Sequence, residues 1–137
     1  MRALAVLSLI GALALGGCGG GVKAADLFIV YRSGTSAHAS LSLLVNEEGG
    51  VQCNGGPTLK LSDHALVIAK ATQEELQESA SNHLSLAPRP GSVFHYYLRD
   101  ENGTVHFSDN SAKQPGVLRQ LQLFILETAQ KVCHLPE

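Results

Sequence analysis

The chain predicts an α+β fold: an antiparallel sheet made of hairpins and covered by two helices. Two observations carry that expectation. Short apolar or alternating runs are separated by clusters of Gly, Asn, Asp and Pro, and twice such a set gives way to a longer stretch with helical spacing, in the order strands, helix, strands, helix. The 112 residues from Asp26 to Glu137 are enough for one domain with one core.

The first run, Leu27-Phe28-Ile29-Val30-Tyr31-Arg32, is β-branched and aromatic, and Ser33-Gly34-Thr35-Ser36 ends it as a turn. Ala39 to Val45 follows with Leu41, Leu43 and Val45 on one face. Glu47-Glu48-Gly49-Gly50 breaks the run, Val51-Gln52-Cys53 resumes it, and Asn54-Gly55-Gly56-Pro57 turns the chain before a short strand over Thr58 to Leu61. Ser62 reads as a helix N-cap with Asp63 in the first turn, and Leu66, Ala69, Gln73, Leu76 and Ala80 recur at helical spacing. The stretch from Ser81-Asn82 to Pro90-Gly91 is a connector, extended ahead of its prolines. Phe94, Tyr96 and Leu98 then alternate with His95, Tyr97 and Arg99, and Asp100-Glu101-Asn102-Gly103 turns into Val105 and Phe107. The Asn-Gly dipeptide favours a type I′ turn, and both a two-residue turn and a four-residue loop place Leu98 on the same face as Val105 and Phe107. Pro115 stands near a helix start, ahead of Val117, Leu118, Leu121, Phe124, Ile125, Thr128, Ala129 and Val132, an amphipathic closing helix.

At the amino terminus, Arg2 precedes an uncharged run from Ala3 to Leu15, long enough for a secretory h-region and short of a membrane span. Leu15-Gly16-Gly17-Cys18 closes that run and resembles the lipobox of bacterial lipoproteins. The resemblance implies cleavage before Cys18 and lipidation of its thiol. The expected organisation is a signal peptide over 1–17, a lipidated cysteine with a flexible glycine-rich tether over 18–25, and one globular domain over 26–137. A plain signal peptide with an incidental cysteine is the alternative. The expected address is the extracytoplasmic face of a cell membrane, with the bilayer as first partner.

Removing the signal takes away only Arg2, so 9 of the 10 basic side chains face 12 acidic ones. No basic stripe with interleaved aromatics points to nucleic acid, and no polybasic segment points to a lipid-surface patch. Of the three cysteines, Cys53 and Cys133 are left for each other in a compartment that permits disulfides. A bridge would fasten the last helix to the third strand. Two buried free thiols are the alternative, and metal binding is weaker still because neither lies in a CxxC.

Six histidines raise the question of catalysis, yet none forms HExxH, and GxSxG, SxxK and Walker patterns are absent. The one convergence is on the second hairpin, where His95, Tyr97, Arg99 and His106 share its polar face with Thr104 and Ser108. A metal or acid–base site there competes with an ordinary solvated strand face. No cofactor, metal or enzymatic activity is expected.

Arg32-Ser33-Gly34, Cys53-Asn54-Gly55-Gly56, Pro88-Arg89-Pro90-Gly91-Ser92 and Cys133 together resemble a group of small actinobacterial lipoproteins of uncharacterised function. That resemblance covers most of Asp26 to Cys133 and implies an address more than an activity. The opening strand, the Arg-Ser-Gly turn and the hairpin are also similar to emfourin, a family of small protein inhibitors of thermolysin-like metalloproteases. Cytoplasmic emfourin-like proteins lack the lipobox and the cysteine pair. Two functions are therefore expected in competition: a noncatalytic binding or accessory domain, and a tethered inhibitor of a secreted or cell-surface protease. An inhibitor needs an exposed loop, for which Arg32 to His38 and Asn54 to Thr58 are the candidates.

Overall fold

The computed structural model describes residues 24–136. The predicted signal peptide, Cys18 and most of the tether lie outside them. Eight elements follow in order: β1 (Asp26–Gly34), β2 (Leu41–Asn46), β3 (Gly50–Cys53), β4 (Thr58–Lys60), α1 (Asp63–Ser81), β5 (Phe94–Asp100), β6 (Thr104–Ser108) and α2 (Gly116–Lys131). The strands form one antiparallel sheet in the order β4-β3-β2-β1-β5-β6, so the first strand of the chain becomes a central one. This is the α+β arrangement of hairpins covered by helices that the periodicity predicts.

Alternation decides which face the helices cover. Val30, Leu41, Leu43, Val45, Val51, Leu98, Val105 and Phe107 all point to the covered side and are buried. Leu27 and Phe28 are buried although adjacent, because the β1–β2 register shifts between Asp26 and Phe28. From the helices, Ala69, Thr72, Leu76 and Ala80 of α1 meet Val117, Leu118, Leu121, Phe124, Ile125 and Ala129 of α2 in the same core. Phe124 packs edge-on to Phe28 with centroids 6.0 Å apart.

Both helices run across the strands. α1 starts with Ser62 accepting a hydrogen bond from the Ala65 N–H, places Leu66 over Gly49 in the β2–β3 turn, and ends against the β5–β6 turn. Gly103 allows that ending, since a Cβ there would collide with the Ala80 carbonyl. α2 starts beside the end of β6, where Gln114 donates to the Ser108 carbonyl, and finishes at the Cys53–Cys133 disulfide, with Cα atoms 6.0 Å apart. The last helix is thus bridged to the third strand.

Two junctions take definite form. Arg99 pairs with Thr104, so of the two connections open to the sequence the four-residue Asp100–Gly103 turn is formed, and neither Glu101 nor Asn102 at its centre has the positive φ that type I′ requires. The Asp100 carboxylate accepts from the N–H groups of Asn102 and Gly103 at 2.8 and 3.0 Å, and this side-chain turn sets the geometry instead. The connector also contributes to the sheet edge: the His106 N–H donates to the Leu84 carbonyl and the His106 carbonyl accepts from the Leu86 N–H, a parallel rung at Ser85. Among the described residues no helix is long and apolar enough to cross a membrane.

Candidate functional site

The helices leave the opposite face of the sheet uncovered. Register brings residues from three strands into one row there: Tyr31 of β1 opposes Tyr97 of β5, which opposes His106 of β6. The Tyr31 and Tyr97 rings stack with centroids 6.0 Å apart at 23°, and the His106 imidazole lies 4.5 Å from Tyr97 at 47°. Tyr97 thus has a ring neighbour on each adjoining strand, while Tyr31 at the end of the row is 43% exposed. Strand alternation sets His95 and Arg99, both exposed, on either side of Tyr97.

All four residues singled out on the hairpin, His95, Tyr97, Arg99 and His106, thus share one face. Tyr31, which extends them, lies far away in sequence on β1. Its alternation within Leu27 to Arg32 indicates the face but not the neighbour, because strand order is a tertiary property.

His95 Nδ1 lies 2.8 Å from Ser108 Oγ, a serine–imidazole pair that the sequence does not reveal. Ser108 is only 1% exposed, so its hydroxyl is shielded from a substrate in solution, and the contact fixes the imidazole. Among the described residues no group of three or more His, Cys, Asp or Glu comes together to hold a metal ion.

Two further features are concave. A cleft of about 490 Å³ opens between the first turns of α1 and the last turns of α2, with Ala65, Ile68, Leu123, Phe124 and Val132 along it and the Glu127–Lys131 pair at its rim. The sequence marks these helices as amphipathic but carries no sign of a cleft between them. At the end of the sheet, a smaller cleft of about 190 Å³ gathers Arg32, Ala37, His38, Asn54 and Leu135. Both loops named as inhibitory candidates therefore meet at one end of the molecule. Arg32 is buried and donates to the carbonyls of Ala39 and His38 at 3.0 and 3.1 Å, Asn54 Oδ1 accepts from the Ser42 N–H at 2.9 Å, and the disulfide adjoins Asn54.

Comparison with protein-family models, curated proteins and solved structures finds no match for this chain.

Proposed function

We propose that the protein is an exported, lipid-anchored, noncatalytic binding domain that engages a partner through the uncovered face of its sheet. The observation that carries this reading is the row Tyr31–Tyr97–His106, flanked by Arg99 and His95 and left open by both helices. Tyr and Arg concentrate binding energy at protein interfaces because they give large, stiff contact surfaces with a polar end. A solvated strand face made only for solubility has no need of stacked rings. The lipobox-like Leu15-Gly16-Gly17-Cys18 supports attachment to the extracytoplasmic side of a membrane, and the disulfide is in keeping with an oxidising compartment. The burial of Ser108 supports a noncatalytic role. Tyr31→Glu tests the proposal: the variant folds, retains its disulfide and loses the partner that co-purifies with the wild-type protein from detergent-solubilised membranes. Retention of the same partner at wild-type yield would remove the face from its role.

A second reading, protease inhibition, is favoured by the two braced loops at the disulfide end. Inhibitory loops work by being held in their bound shape beforehand, and the hydrogen bonds of Arg32 and Asn54 do this for 33–42. Titration against thermolysin-like and subtilisin-like proteases checks it. Stoichiometric loss of protease activity supports inhibition, and full activity at high molar excess removes it for those proteases.

A further inference from the structure

We infer that the turn over Pro88 to Gly91 is an arginine knob that plugs the specificity pocket of an arginine-directed serine protease; the inference rests on the second reading above and gives it a different loop and a protease class. Pro88, Arg89, Pro90 and Gly91 are all exposed, in the connector that leads into β5. Their backbone is nevertheless fixed. The Ser92 N–H donates to the Arg89 carbonyl at 3.2 Å, and with Pro90 second and Gly91 third at φ 85° this is the pattern of a type II turn. Asn110, just after β6, clamps that turn to the end of the hairpin. Its Oδ1 accepts from the Arg89 N–H at 3.0 Å, and its Nδ2 donates to the carbonyls of Arg89 and Pro90 at 3.0 and 3.2 Å. The next two residues, Ser92 and Val93, are held in turn by the Asp109 carboxylate.

What the clamp displays is a guanidinium. The Arg89 N–H and carbonyl make three hydrogen bonds, whereas among the described residues its side chain makes no hydrogen bond or ion pair. A fixed stem with a free cationic tip matches a pocket with a carboxylate at its base, which takes the guanidinium through two parallel N–H donors. Holding the loop in shape beforehand lowers the ordering cost of binding. Arg99 and Arg119 are also exposed, but they stand on a strand and a helix and do not project as a turn does. Arg32, which braces the loop after β1, is buried. The same bonds make the turn an inhibitor and not a substrate. Peptide hydrolysis requires the carbonyl oxygen before the scissile bond to enter the oxyanion hole of the protease. Both lone pairs of the Arg89 oxygen are already taken, by Asn110 Nδ2 and the Ser92 N–H, and Pro90 bends the chain directly after it. The pocket is filled beside a bond that the protease does not cut.

The experiment titrates the full-length protein, purified in mild detergent, against trypsin, read with a small chromogenic substrate, and in parallel against a subtilisin-like and a thermolysin-like protease. The variants are Arg89→Gln, which keeps every backbone bond of the turn; Arg119→Gln, which removes an exposed arginine from α2; and Asn110→Ala combined with Pro90→Ala, which releases the clamp and the bend. The expected result is competitive inhibition of trypsin that weakens about tenfold or more in R89Q and stays within about twofold of wild type in R119Q. Mass spectrometry should find the doubly substituted variant cut after Arg89 and the wild-type bond intact. No inhibition of trypsin at high molar excess, equal inhibition by R89Q, or cleavage of the wild type after Arg89 would overturn the inference. An intact bond in the doubly substituted variant would overturn the part given to the clamp. Inhibition of the other two proteases alone, unchanged in R89Q, would overturn the arginine knob while leaving the inhibitory reading in place. Full activity of all three would remove both.

Discussion

Arg32 is a charged side chain on the core side of β1, 5% exposed, with its guanidinium 4.8 Å from the Phe94 ring centroid. Its donors hold the carbonyls of His38 and Ala39, so the loop after β1 is tied to the core by a cation. Arg32→Met keeps the apolar bulk and removes those donors, leaving carbonyls without partners; we expect about 2–3 kcal/mol of destabilisation in denaturant unfolding. Arg32→Lys should fall between, because an ammonium cannot reproduce the fork. Asp109 makes a second residue-level case. Burial works against its charge, but hydrogen bonds from the Ser92 hydroxyl at 2.8 Å and from backbone N–H groups, Val93 among them at 3.1 Å, hold its carboxyl below the usual carboxylate range. A depressed folded-state pKa stabilises the fold above the ordinary carboxylate value and loses that contribution as pH falls through the depressed one. Asp109→Asn should therefore cost stability at neutral pH and flatten the acid limb of stability against pH; an unchanged acid limb would deny Asp109 this part. Neither residue is legible in the sequence. Arg32 closes an apolar run and reads as its polar end, and Asp109 meets Ser92 only because β5 and β6 are paired.

Elements are more legible than their junctions. The alternation of Phe94 to Phe107 indicates the hairpin face correctly, and the spacing from Val117 to Ala129 indicates the buried side of α2. Thr72, wholly buried in α1, escapes such a reading because its hydroxyl takes a hydrogen bond from Gln120 across the helices. The turn type escapes it because a carboxylate two residues earlier overrides the Asn-Gly preference. The disulfide is an element-scale device: it holds the end of α2 to β3 across a sequence separation of 80 residues. On the chain-entropy account such a closure contributes up to about 4–5 kcal/mol. Cys53→Ser with Cys133→Ser should lower stability by no more than that, and hydrogen exchange should quicken in the last turns of α2 more than in α1. Equal quickening in both helices would mean that the bridge supports the whole core instead of its end.

At the scale of the molecule, the two faces of the sheet divide the work. One buries apolar side chains beneath helices that cross it, and the other presents aromatic, imidazole and guanidinium groups. The shared face of His95, Tyr97, Arg99 and His106 follows from alternation, and the fold class from alternation together with turn residues and helical spacing, whereas the addition of Tyr31 and the cleft between α1 and α2 need the packing. Anchoring is tested at the same scale: Cys18→Ala should abolish incorporation of a fatty-acid analogue and leave the protein unprocessed or released. Label retained in that variant would contradict the lipid anchor. The central claim, that the uncovered face meets the partner, is tested most directly by a photo-crosslinking residue placed at Tyr31 or at Leu123 on the helix layer, which is 56% exposed, in intact cells. The account predicts a discrete crosslinked protein from position 31 and none from position 123; crosslinking from 123 with none from 31 would contradict it.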